Sequence, residues 1–308
     1  MNPPVNPLVN RSVDVRGELA APDLPARLAA LGFEPDDAAQ AVAAAAATLE
    51  RPDRMAVVEQ AAERLVSRTG ILPAGDGMEV WDGLDVGPDG VLALLALLAT
   101  APAVARLHAS RGVPADVSVA TLADLGHQVR VHRLVFGRFG LETYGWVAGF
   151  AWAGNLYRLG RLQLDLEPMD TLDGTGREWV LSTHIPRGGR FAPEDVDASL
   201  RAAPAFFARH FGEVAVTSIH CHSWMLDPRL PTLLPGSNLA SFQQRWRTYG
   251  EPHDGDVDAL FFAFTHRGPL DPATLTAGTS LQRALLSVWR EGGHWRLVHG
   301  RLAGGLPS

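Results

Sequence analysis

The chain has 308 residues, 46% of them hydrophobic and 20% charged, which against roughly 150 residues per domain fits two domains, or one large one, around a buried core. Its 27 basic and 34 acidic residues leave a net charge of −7, which argues against a nonspecific grip on nucleic acid or an anionic membrane. Every basic residue is arginine and Cys221 is the one cysteine. These absences exclude Schiff-base, pyridoxal phosphate, P-loop and kinase lysines, disulfide frameworks, thiolate zinc knuckles and iron–sulfur clusters.

From the N-terminus, Met1 to Arg16 is polar and proline-spotted, with no charged-then-apolar leader pattern. The most apolar run, Val91 to Ala99, falls short of the roughly 20 residues a bilayer-spanning helix needs. The expectation is a cytoplasmic protein.

The first half reads as helical. Asp36 and Asp37 are candidate caps for an alanine-rich helix over Ala38–Leu49, and a second helix runs from Asp53 to Arg68 and stops at Gly70. Gly70 to Gly90 is broken by Gly, Pro and Asp, leaving one short strand at Met78–Trp81. Val91–Ser110 is helix-like despite Pro102, and Ala120–Phe136 carries an apolar stripe opposite His127, Arg130 and Arg133.

The period then changes. Over Leu159–Glu167, Leu162, Leu164 and Leu166 alternate with Arg161, Gln163, Asp165 and Glu167, the signature of an amphipathic strand. Trp179–Ile185 is a second strand, stopped by Pro186. After Arg187-Gly188-Gly189-Arg190, a helix starts at Pro193 with Glu194 and Asp195 in its first turn, and Pro204 must kink it. Val214–Trp224 alternates as a strand, Asn238–Tyr249 reads as a helix, and Ala259–Thr265 and His294–Leu302 read as closing strands. The order implies a mixed sheet with helices on its faces and a boundary near residue 146: a helical domain over 1–145, then an α+β domain over 146–308.

The order of strand, Gly-rich turn, helix, strand, helix and two strands resembles the GNAT acyltransferase superfamily. The local text is more specific. Tyr157–Gln163, His184–Gly189, Ser199-Leu200 with Phe206-Phe207, Cys221–Pro228 and Ser237-Asn238 before Phe242-Gln243 resemble bacterial proteins that join a helical acyltransferase N-terminal domain to a GNAT-like C-terminal domain. The resemblance implies acyl transfer from acyl-CoA, acetyl or longer, to an amine of a small molecule. It makes the backbone of 179–186 the partner of the pantetheine arm and sets Arg187, Gly188, Gly189 and Arg190 at the cofactor phosphates. An anion there would meet helix N-terminal amides and arginine charge. The superfamily's usual turn, Gln/Arg-x-x-Gly-x-Gly/Ala, differs in that the glycines here are adjacent. Asn238, with Ser241 and Trp246, is similar to a helix that often ends in a tyrosine acid. No tyrosine precedes Tyr249 in that stretch, so the thiolate has no assigned proton donor.

Chemistry concentrates on few residues. His220 and His222, two apart on a strand, share a face. Three readings compete for them: a zinc or iron site with His184 and Asp227, a general base at His184 or His222, and two structural histidines. Ser223 beside His222 lacks a nucleophile elbow, so a structural hydroxyl competes with a nucleophile. Cys221 points the other way, into the core. Arg161, Gln163, Asp165 and Glu167 are either a solvated strand face or a pocket wall in which a carboxylate polarises an amine and Arg161 holds an anion.

The expected assignment is therefore His184, His222 and Ser223 as catalytic candidates and Arg161, Gln163, Glu167 and Asn238 as substrate contacts. No resident metal, nucleic acid or membrane partner is expected. The alternatives are a metal-dependent hydrolase or oxygenase built on His184, His220, His222 and Asp227, and a noncatalytic GNAT-fold binding protein, and the helical half is open as a lid, a homodimer face or a carrier-protein dock.

Overall fold

A computed structural model describes residues 13–75 and 77–307. The chain divides into two compact units between Arg158 and Leu159.

The first unit is helical: α1 Val15–Ala20, α2 Leu24–Ala30, α3 Pro35–Leu49, α4 Pro52–Arg68, α5 Val91–Ser110, α6 Ala115–Leu122, α7 Asp124–Phe136 and α8 Tyr144–Gly149. Because α8 belongs to this unit, the division falls later than residue 146. Proline occupies the first turn of α2, α3 and α4, where its missing N–H costs nothing. Asp37 does not cap α3. It is 1% exposed and its carboxylate takes an ion pair with Arg133 of α7.

The core helix is α5. It is long and apolar enough to cross a membrane by length and composition, yet 72% of its most apolar window is buried. Trp152 ties the chain back to it, its indole N–H donating to Leu97 O at 3.0 Å and Thr100 Oγ1 at 3.1 Å. Met78–Trp81 is a 3-10 turn rather than a strand, and Ala120–Phe136 is broken at Ala123 into α6 and α7.

The second unit is a mixed sheet with flanking helices. Its strands are β1 Leu156–Leu159, which straddles the division, β2 Leu162–Asp170, β3 Arg177–His184, β4 Val216–Ser223, β5 Trp246–Asp254 and β6 Arg296–Leu302. Its helices are α9 Pro193–His210, α10 Leu230–Leu233, α11 Asn238–Gln243, α12 Asp256–Phe264 and α13 Ser280–Arg290. The sheet order is β1-β2-β3-β4-β6-β5. The pairs β2–β3, β4–β6 and β5–β6 are antiparallel, whereas β3 and β4 run parallel and are joined through α9 as a parallel pair requires.

Two expected elements change type. Ala259–Phe264 lies in a helix, α12, with Thr265 just past its end, and the stretch expected as one helix over 238–249 ends at Gln243 and resumes as β5.

The strand alternation holds, with a difference in exposure. Leu162, Leu164 and Leu166 are buried, and so are Gln163 at 1% and Asp165 at 2%, so this part of β2 is covered on both faces. Ser199 of α9 locks the β1–β2 turn, its Oγ accepting from Arg161 N at 2.9 Å and Leu162 N at 3.3 Å.

Candidate active site

The sheet's strand registers gather the polar residues. Gln163 lies opposite His184 and Asp165 opposite Ser182. The β3–β4 register runs from Trp179–Val216 to Ser182–His220 and stops there. Beyond it, β4 continues to pair with β6 through His222–His299 and Ser223–Val298. At the point where β3 leaves β4, a cavity of about 360 Å³ opens, bordered by Thr183 and His184 from one strand and His222 and Ser223 from the other.

His184 carries the clearest chemical geometry. Its Nε2 stands 2.7 Å from Asp165 Oδ1, and the carboxylate is 2% exposed against 27% for the imidazole. An ionised carboxylate only accepts, so Nε2–H donates to it and the imidazole is held in one orientation on the cavity wall.

His222 is in a different setting. Its ring is stacked on that of His299, with centroids 3.7 Å apart and planes 1° apart, and His253 meets both edge-on at 6.1 Å. Partial burial, with the charge that His299 and His253 would carry, pushes His222 down to about 4. It is neutral and weakly basic at neutral pH. His220 shares its face but is held between Tyr249 Oη at 2.7 Å and Arg301 Nε at 3.1 Å, and burial pushes it to about 4 as well. Asp227 is fully buried and paired with Arg229. The sheet does not bring His184, His220, His222 and Asp227 together as a ligand set. No group of three or more His, Cys, Asp or Glu able to hold a metal occurs among the described residues.

Ser223 borders the cavity, and its Oγ accepts from Met225 N–H at 3.1 Å, capping the 3-10 turn Trp224–Leu226. Arg161 also borders it, donating to Pro186 O at 2.9 Å with its guanidinium 4.9 Å from the Phe191 ring centre. Arg161 thus fixes the segment that leaves β3. Gln163 is buried next to His184 but does not border the cavity. Partial burial and the neighbouring Asp165 raise the Glu167 carboxyl above its usual range. Asn238 is exposed at the start of α11, while its neighbour Leu239 borders the cavity.

The turn after β3 reaches the rim through Arg187 and Gly188. Gly188 and Gly189 have φ of 81° and 72°, a left-handed turn that side chains resist. Arg187 donates to Phe261 O at 3.4 Å and to Thr265 Oγ1, and Arg190 pairs with Glu194. Behind the turn, α9 starts without a side-chain cap.

Sequence reasoning missed several cavity residues: Thr183, Trp224, Met225, Phe262, Leu281 and Asp258, whose carboxyl is raised above its usual range by burial. Most come from segments whose element type or register the linear pattern leaves undetermined.

A helical unit is thus followed by a mixed sheet whose parallel strand pair parts beside a cavity. A family model described as the GNAT-like C-terminal domain matches residues 156–302, and one described as the N-acyltransferase N-terminal domain matches residues 22–152. No curated protein matches the chain. Among solved structures, an acyltransferase in complex with decanoyl-CoA and teicoplanin is 33% identical, with 99% of this chain and 92% of that one covered at a TM-score of 0.81. An acyltransferase variant in complex with octanoyl-CoA is 32% identical over 91% and 87% of the two chains, with a TM-score of 0.79. A third, with CoA and 10C-teicoplanin, is 30% identical over 99% and 92%, with a TM-score of 0.81. The chain belongs to this family of acyltransferases, in which an N-acyltransferase N-terminal domain precedes a GNAT-like C-terminal domain.

Proposed function

We propose that this protein transfers an acyl group from an acyl-CoA to the amine of a small molecule, with His184 as the general base. The observation that carries the proposal is the 2.7 Å His184–Asp165 pair on the wall of the cavity between β3 and β4. An amine attacks the thioester carbonyl carbon while His184 Nδ1 takes its proton. The C–N bond forms, the C–S bond breaks, and CoA leaves as the thiol once a proton reaches sulfur. Backbone N–H groups at the parted strand ends suit the developing oxyanion. No covalent acyl-enzyme is required, in keeping with Ser223 acting as a capping acceptor.

The relatives point to the finer assignment. They hold octanoyl- and decanoyl-CoA, and the cavity here is bordered by Ile185, Pro186, Phe191, Trp224, Met225 and Leu239, an apolar wall suited to an aliphatic chain. The Gly188 turn at the rim, backed by the start of α9, suits the phosphates. Two of the relatives also hold teicoplanin or 10C-teicoplanin, which makes an amine-bearing acceptor of that kind the first to try.

The test is thermal unfolding with acetyl-, octanoyl- and decanoyl-CoA, followed by acceptor-dependent thiol release. A donor at about 100 times its Kd stabilises by about 2.7 kcal/mol and raises the midpoint visibly. A midpoint unmoved by every acyl-CoA, with no thiol released, refutes acyl-CoA as the donor.

A further inference from the structure

One histidine on the cavity wall is held by rings alone. His222 is exposed and makes no hydrogen bond or ion pair among the described residues; its ring meets His299, stacked at 3.7 Å, and His253, edge-on at 6.1 Å. The sheet sets this stack. His222 of β4 lies opposite His299 of β6, and His299 opposite Tyr249 of β5, whose ring continues the row at 5.6 Å and 30°. In the sheet order β6 flanks β4 on one side and β3 on the other. The His299 ring therefore covers the β6 side of His222, and the second face of the imidazole looks toward the strand that has parted. The last β3–β4 pair is Ser182–His220, and two residues further that register would set His184 beside His222 on the same sheet face. The strands part instead, and both histidines border the cavity. A row of flat rings thus ends at the opening, across from the base.

Partial burial, with the charge of neighbouring histidines, holds His222 and His299 below the ordinary imidazole range, so both rings are neutral at neutral pH. A neutral ring with one face covered and the other open offers little to an ion and a good surface to another flat group. We propose that the open face of His222 is a stacking platform for the acceptor, and that the acceptor carries its amine on a short linker from a planar aromatic ring. That ring extends the row of Tyr249, His299 and His222, and the linker brings the amine to His184. This rests on the reading of the protein as an acyl-CoA-dependent N-acyltransferase, and it names the class of acceptor. His184 acts on the amine, whereas His222 holds the ring and determines specificity. A purely aliphatic amine reaches the base without the gain from stacking.

The test uses two primary amines of equal length and similar bulk, phenethylamine with a planar ring and cyclohexylethylamine without one. Each is titrated into the full chain loaded with CoA and followed by NMR of the histidine ring protons. The His222 signals are expected to move upfield with phenethylamine only, and its Kd to be about two- to tenfold below that of cyclohexylethylamine. His222→Phe, which keeps a ring, retains the preference, and His222→Leu, of similar size without one, binds the two amines alike. A histidine with a structural role alone would weaken both amines equally when replaced. Equal affinities in the wild type, His222 signals that phenethylamine leaves in place, or a preference that survives His222→Leu overturns the proposal. The first two outcomes are read on the wild type, so they decide the matter even where the leucine variant does not fold. A wild-type thermal midpoint that neither CoA nor decanoyl-CoA moves overturns the acyl-CoA reading itself, and with it this one.

Discussion

His184 and His222 look equivalent in the sequence, each a histidine at the end of a strand candidate, and they differ only in their neighbours. Asp165 reaches His184 diagonally across the β2–β3 pair, because the residue directly opposite His184 is Gln163. His222 meets another imidazole instead of a carboxylate. The alternation of β2 is enough to put Asp165 on the same face as Gln163, but the partner strand's register, which links Asp165 to His184, is absent from a linear pattern. His184→Ala is expected to lower kcat by about a hundred- to ten-thousandfold while leaving the fold intact. Asp165→Asn, whose amide can donate to Nε2 and hold the ring in the wrong tautomer, is expected to lower kcat strongly with a small effect on KM. Steady-state kinetics beside a thermal midpoint check both. A His222→Ala variant slower than His184→Ala would exchange the roles assigned here.

At the scale of elements, strong periodicity was legible and tertiary contacts decided the rest. Val91–Ser110 is a helix buried on nearly every side, Pro193–His210 follows its apolar stripe, and β2, β3, β4 and β6 form where strands are expected. The run Ala259–Thr265 reads as strand because it is rich in phenylalanine, yet Ala259–Phe264 belongs to α12. The start of that helix is fixed by Asp256, 6% exposed, whose Oδ1 accepts from Trp289 Nε1 at 2.6 Å and Trp295 N at 2.7 Å, contacts made across sequence distances no local pattern spans. The break between α6 and α7 has a similar origin. Gly126 in the first turn of α7 donates its N–H to Leu31 O at 3.0 Å, and a Cβ there would collide with the backbone of Gly32 and Phe33. Gly126→Ala is therefore expected to destabilise the helical unit by about 1–3 kcal/mol through overpacking, although alanine is the better helix former. A thermal midpoint at or above wild type would show that the two segments are not in close contact.

At the scale of the whole molecule, buried neutral histidines in both units set the response to acid. His108 in α5 has 0% exposure, with Nδ1 at 2.8 Å from Ser118 Oγ, and burial pushes it to about 4 from an ordinary 6.5. His220 and His222 are pushed to about 4 in the same direction. A depressed folded value means that the unfolded chain takes up the proton first. The stabilisation is therefore present above about pH 6.5 and is lost as pH falls from there toward about pH 4. For His108 alone the shift corresponds to about 3 kcal/mol, with a smaller addition from buried His220 and little from His222, which is exposed. His294, raised by its 2.7 Å hydrogen bond to Asp256, works in the opposite sense, contributing at low pH and fading as pH rises, but it is fully exposed and screened. The sum favours the buried histidines. Urea unfolding at about pH 7 and about pH 4.5 is expected to show several kcal/mol less stability in acid, and His108→Asn to show a shallower decline over that window, from a lower starting value. Equal stability at the two pH values would mean that the histidines are protonated in the folded protein, which would also remove the argument that His222 is too weak a base to take the place of His184.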